Sequence, residues 1–170
     1  MKTDKLWAPW RKKYIIQAKK IRGCLFCKIA KSKKIKRDYV IHRTKFSFLM
    51  LNTFPYNNGH LMIAPYKHTK DFNRLNKKEL SDLIGLLILS YNLLNDALKP
   101  DGYNIGINLT KAGGAGFTGH LHIHIVPRWN GDTNFMPVIS NTKVISESLD
   151  SVYERLKKCL RGKISKEKKN

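Results

Sequence analysis

The stretch GHLHIHIVPRW, residues 119–129, sets three of the chain's six histidines at every second position, with Leu121, Ile123 and Ile125 alternating among them. A period of two is the pattern of a β-strand, whose successive side chains point to opposite faces. His120, His122 and His124 are therefore expected on one face and the aliphatic residues on the other, with Pro127 limiting the strand. At a rise of about 3.3 Å per residue the outer two histidines stand about 13 Å apart, too far to share one ion at Zn–N bonds of about 2 Å. The three must hold at least two different jobs. A merely polar strand face is the bland alternative.

The rest of the chain supplies partners for such a strand. YVIHR (39–43), FSFLMLN (46–52), HLMIAP (60–65) and YNIGINL (103–109) read as four more strands, separated by turn chemistry such as TFPYNNGH. From Leu75 to Leu98, apolar residues at 80, 83, 84, 87, 91, 94 and 98 trace one face of a helix. A final amphipathic helix is expected from Ser146 to Leu160, with Ser146 as its N-cap. Clustered strands with helices between and after them favour an α+β fold on an antiparallel sheet of about five strands. A chain of 170 residues suits one domain, taken as 1–160. Residues 1–37 form its N-terminal extension and 161–170 a basic, flexible tail.

Lys and Arg total 33 against 12 Asp and Glu, a formal charge of +21. Such a field attracts anions, nucleotides and nucleic acids included. Much of the excess lies in KSKKIKR (31–37) and RGKISKEKKN (161–170), so a lysine-rich composition with a solvated surface accounts for it equally. The N-terminus has no apolar signal segment, and the longest apolar run, Leu86 to Leu89, is far too short for a membrane span. A soluble, cytoplasmic protein with no membrane partner is expected. Three cysteines do not suggest a disulfide framework.

Two further motifs carry chemistry. AGGAGFTG (112–119) precedes the histidines, and glycines let a phosphate approach exposed backbone N–H groups, although a flexible connector reads the same way. The loop lacks the Lys-Ser/Thr of a P-loop. Beside a row of imidazoles it suits phosphorus chemistry, in which a neutral histidine attacks while donors hold the developing charge. Cys24-x-x-Cys27 is half of a zinc site, with a redox pair and a buried apolar pair as rivals. Cys159 is expected to pack in the last helix.

HLHIHIV (120–126) matches the signature of the histidine triad superfamily of nucleotidyl hydrolases and transferases, and LNTFPYNNGHLMIAPYKH (51–68) resembles its first block. LWAPWR (6–11) and PRWNGDTNFMPV (127–138) resemble the prokaryotic diadenosine tetraphosphate phosphorylase-like branch. The resemblance covers residues 6–160. It implies a histidine-triad fold and cleavage of dinucleoside polyphosphates through an adenylyl-histidine on His122, with His60 supporting and His124 touching the phosphate. It also implies substrate contacts from Asn52 at the ribose, from Asn108, from the backbone of Gly114, Ala115, Gly116 and Phe117, and from Trp129. Where several branches have them, Cys24, Cys27, His68 and His120 would close a structural zinc site. No organic cofactor is implied. Partners would be an adenine (di)nucleotide, orthophosphate as a possible acceptor, and a second copy of the chain, with Trp7 and Trp10 near the interface. Gly116-Phe117-Thr118 replaces the Gly-Gln-Ser/Thr of many relatives, which leaves hydrolase and phosphorylase both open. Removal of AMP from adenylated nucleic-acid ends or small conjugates, and non-catalytic nucleotide binding, remain the other readings.

Overall fold

In the computed structural model of the chain, residues 23–136, 139 and 144–167 are described. Trp7, Trp10 and the LWAPWR segment lie outside them. The elements run α1 (Leu25–Lys31), β1 (Val40–Arg43), β2 (Ser47–Leu51), β3 (Leu61–Pro65), a 3₁₀ turn (Phe72–Arg74), α2 (Lys77–Leu98), β4 (Gly102–Gly106), β5 (Ile123–Arg128) and α3 (Leu149–Glu167). The strands form one antiparallel sheet in the order β1-β2-β3-β5-β4, the α+β architecture expected.

The period of two splits the sheet into two cores. Ile41, Leu49, Leu51, Leu61, Ile63, Ile123 and Ile125 pack with Leu83, Leu86, Leu93 and Leu94 of α2 and with Val152, Tyr153, Leu156 and Leu160 of α3. The other face carries Val40, Phe48, Met50, Met62 and Ala64, covered by Phe26 and Ile29 of α1. Every residue of β2 and β3 is consequently buried. Helix α2 starts from a capping box: Glu79 N–H donates to Asn76 Oδ1 and Asn76 N–H to the Glu79 carboxylate. It stops at Lys99, left-handed at φ 48°, just before Pro100.

Several boundaries differ from the sequence reading. Strand β5 begins at Ile123, not at the first histidine, because its ladder with β3 runs out where Pro65 has no N–H to donate. Leu121 N–H turns instead to Thr69 O. Strand β4 ends at Gly106 rather than 109, its last partner on β5 being His124. Pro127 does not stop β5, which continues to Arg128. Its carbonyl accepts from Asn57 Nδ2 on the side beyond the end of β3, so its missing N–H breaks no ladder bond. Helix α3 is capped by Ser148, whose Oγ accepts from Ser151 N–H, not by Ser146, and it runs through Glu167 into the stretch read as a tail. Cys159 packs against the core as expected.

Gly59 fixes the entry to β3. Its φ of +71° is left-handed, and an added methyl group would run into Leu98 Cδ1 and lie 3.2 Å from Leu94 Cδ2. Gly59→Ala should lower the unfolding free energy by about 1–3 kcal/mol, read from the urea midpoint at constant slope. An unchanged midpoint would show that the turn has another conformation.

Candidate functional site

The register Met62↔His124 places His124, and with it His122 two residues earlier, on the face of Met62 and Ala64, away from α2 and α3. His122 is buried, its ring centroid 4.8 Å from that of His124. His122 Nδ1–H donates to the His120 carbonyl at 2.8 Å. That bond puts the ring's proton on Nδ1 and leaves an unprotonated lone pair on Nε2.

His124 has the opposite tautomer. Tyr56 N–H donates to His60 Nδ1 at 3.1 Å, so His60 carries its proton on Nε2. His60 Nε2–H then donates to His124 Nδ1 at 2.9 Å, which leaves the His124 proton on Nε2. One histidine thus offers a lone pair and its neighbour an N–H donor. Burial holds all three rings neutral. His60 is lowered from 6.5 to about 3, by burial first and then by His124 and His122. His124 is lowered to about 4 by burial and then by His122, and His122 is lowered by burial against the opposing pull of the His120 carbonyl.

The third triad histidine serves elsewhere. Cys24 Sγ lies 3.2 Å from His120 Nδ1, Cys27 Sγ 3.6 Å from the same nitrogen and 3.3 Å from His68 Nδ1. All four donor atoms fall within 4.8 Å of one another. A tetrahedral ion with Zn–S near 2.3 Å and Zn–N near 2.0 Å requires edges of roughly 3.3–3.8 Å, so this donor set fits a closed Cys2His2 site. His120 Nε2–H donates to Pro65 O at 2.9 Å, which fixes the ring and turns Nδ1 to the sulfurs. Burial, and then the neighbouring Cys24, raises the Cys27 thiol, a pair of sulfurs that a cation would relieve.

The remaining expected residues are partly brought to this site. Asn52 is 7% exposed; its Oδ1 accepts from Phe54 N–H and its Nδ2 donates to His60 Nδ1, so its amide supports the His60 relay. Asn108, half-buried, occupies the coil after β4. The glycine loop folds tightly on itself: Ala115 N–H donates to Thr110 O, Gly114 adopts φ +83°, and a side chain on Gly113 would collide with Leu109 O. Gly116 is exposed, and Phe117 packs edge-on to Phe26 at 6.0 Å. Trp129 is not brought to the histidines. It follows the far end of β5, about 16 Å along the strand from His124, and lines a separate cleft of about 420 Å³ with Asn57, Asn58, Asp132 and Arg155.

Two residues at the site escaped the sequence reading. Tyr56 supplies the N–H that sets the relay and lays its ring parallel to His124 at 5.9 Å. Phe26, fully buried, packs against His122 at 4.7 Å with the ring planes tilted by 31°. Tyr56 was visible only as turn chemistry, and Phe26 only as filler between two cysteines.

A HIT domain family model matches residues 33–131. An AP-4-A phosphorylase of Mycobacterium tuberculosis is 33% identical over 154 residues, covering 86% of this chain and 78% of that protein. A Zn-bound histidine triad family protein from Mycobacterium smegmatis shares the fold, with a TM-score of 0.67 at 23% identity over 84% of this chain and 96% of its own. A hypothetical histidine triad nucleotide-binding protein from Sulfolobus tokodaii gives a TM-score of 0.62 at 28% identity, over 84% and 93%.

The lowered histidines have a consequence for stability. A histidine whose folded value lies below 6.5 binds its proton more readily in the unfolded chain. Stability is then complete above about pH 6.5 and drains as pH falls through 4 toward 3, by on the order of a few kcal/mol. Urea midpoints measured across that range should fall with pH, and His60→Gln should flatten the slope. An equal slope in the variant would mean that His60 is not held neutral.

Proposed function

The chain belongs to the HIT domain family, and from that membership we propose that it cleaves dinucleoside polyphosphates of the diadenosine tetraphosphate type through a covalent adenylyl-histidine. The observation that carries this reading is the opposed tautomers of His122 and His124. His122 Nε2 attacks the α-phosphorus, an N–P bond forms, and the P–O bond to the leaving ATP breaks. The imidazole becomes cationic while its Nδ1–H still faces the His120 carbonyl, which stabilises the charge. His124 Nε2–H meets the phosphate oxygens; Gly114 and Ala115 turn their N–H groups back on Lys111 O and Thr110 O, so loop donors for the remaining oxygens would come from Gly116 onward. An oxygen of water or of orthophosphate then displaces Nε2, releasing AMP or ADP. Asn52 enters this reading as support for His60.

Orthophosphate is the acceptor we favour. The curated relative from Mycobacterium tuberculosis named above is an AP-4-A phosphorylase. A charge of +21 lowers the cost of holding a second anion. Among the described residues no helix is long and apolar enough to cross a membrane. A cytoplasmic location is part of the proposal, as is one domain over residues 1–160. The four-donor set is assigned to a structural zinc, which would contribute directly to folding free energy. The chain is further proposed to pair with a second copy. Ile84, Ile88 and Tyr91 expose one stripe of α2, and Ile105 is exposed on the edge strand β4.

Four measurements test these points. His122→Asn should lose turnover of diadenosine tetraphosphate at least about 10³-fold. With the wild type, products should shift from AMP plus ATP toward ADP plus ATP as orthophosphate rises to millimolar. Near wild-type rates in the variant sink the nucleophile, and a fixed AMP plus ATP ratio sinks the phosphorylase. Metal analysis should find about one zinc per chain, lost with several degrees of Tm in a Cys24→Ser/Cys27→Ser protein. Metal-free protein with an unchanged Tm excludes the site. Light scattering should give a dimer mass or higher that Ile88→Glu reduces, and a monomeric wild type ends the pairing proposal.

A further inference from the structure

Among the described residues, one hydrogen bond fixes the His122 ring, from Nδ1–H to the His120 carbonyl. A single bond of that kind leaves the ring free to swing about the bond axis, and Nε2 would swing with it. A second constraint is needed on the ring's face, and Phe26 supplies it. Its ring is 0% exposed, lies 4.7 Å from His122 with 31° between the planes, and lies 5.2 Å from His120. These separations fall in the range of favourable offset packing. An apolar face also places no donor there to compete for the Nε2 lone pair.

Phe26 is itself held from several sides. It sits between Cys24 and Cys27 at the start of α1, so the position of those sulfurs at His68 and His120 sets its own. At the other end of the helix, Arg43 donates to the carbonyls of Ile29, Ala30 and Ser32. Phe117 of the glycine loop closes against the Phe26 edge. Met50, Met62 and Ala64 of the sheet pack in the same cluster.

We propose that Phe26 is a positioning residue for the His122 imidazole, through which the Cys24–Cys27 knuckle and the glycine loop are registered to the attacking nitrogen. The proposal rests on the reading of His122 as nucleophile. It assigns the knuckle a role in rate as well as in stability. Because Phe26 faces the ring rather than the substrate, its loss should act on kcat and spare KM.

The test uses metal-loaded full-length protein. Phe26→Ala empties a large core volume, so Phe26→Leu and Phe26→Met, which largely fill it without a flat face, are the informative variants. With zinc content and Tm near wild type, kcat for diadenosine tetraphosphate should fall by about tenfold or more, since a displacement of 1 Å at a reacting atom costs about 10²-fold. KM should stay within about threefold. Long-range ¹H–¹⁵N spectra of the histidines should show the single Nδ1–H tautomer of His122 in the wild type, and a mixture in Phe26→Leu and in metal-stripped wild type. A wild-type kcat together with an unmixed His122 tautomer in both variants overturns the positioning role while leaving His122 as nucleophile. Activity surviving in His122→Asn would instead overturn the reading beneath it.

Discussion

The pairing of β3 with β5 is the contact on which the site depends. Leu61↔Ile125, Met62↔His124 and Ile63↔Ile123 bring together two segments sixty residues apart. This register puts His60, at the foot of β3, within reach of His124. It also puts Pro65, at the top of β3, beside the ring of His120. A slip of one residue would send His122 and His124 into the helix-covered core and Ile123 and Ile125 out of it. The aliphatic residues guard against that slip, because Ile63, Ile123 and Ile125 are all buried under α2 and α3. The packing of one face thereby holds the chemistry of the other in register.

What the sequence made legible follows from the same alternation. The strands, the long helix and the two-sided sheet were readable because side-chain periodicity is a local property of the chain. That the three histidines must divide their work was readable too, from strand geometry alone. Strand ends were not, since they depend on where a partner runs out: Pro65 ends the β3–β5 ladder, whereas Pro127 interrupts nothing. Cys24, Cys27, His68 and His120 could be grouped only by resemblance, because three separate segments meet there. Phe26 and Tyr56 act through the face of a ring and a backbone N–H, which no residue type signals. Trp129 has a suggestive neighbourhood in sequence, and β5 carries it to a cleft away from the histidines.

The electrostatics of the site contrast with those of the molecule. The chain bears a charge of +21, yet the imidazoles at the centre are neutral, with His60 and His124 held at about 3 and 4. A cationic nucleophile would have no lone pair to offer, and a cationic His60 could not accept from Tyr56 N–H. The long-range field can draw a polyanion toward the protein while the buried rings keep the protonation pattern that attack requires.

The cysteine–histidine cluster also bears on how the chain can reach its native state. Its donors come from positions 41, 93 and 96 residues apart along the chain. Closing such long loops in an unfolded chain costs entropy before any donor meets another. The cluster therefore differs from a compact finger whose ligands gather locally and let the ion start folding. Here the ligand geometry exists only once β3 and β5 have paired, because Pro65 and the residues after Gly119 fix His120. During synthesis Cys27 emerges 41 residues before His68, and Cys24 and Cys27 emerge 96 and 93 residues before His120. An ion seated in this cluster is thus a late arrival, locking a topology that the sheet has already chosen.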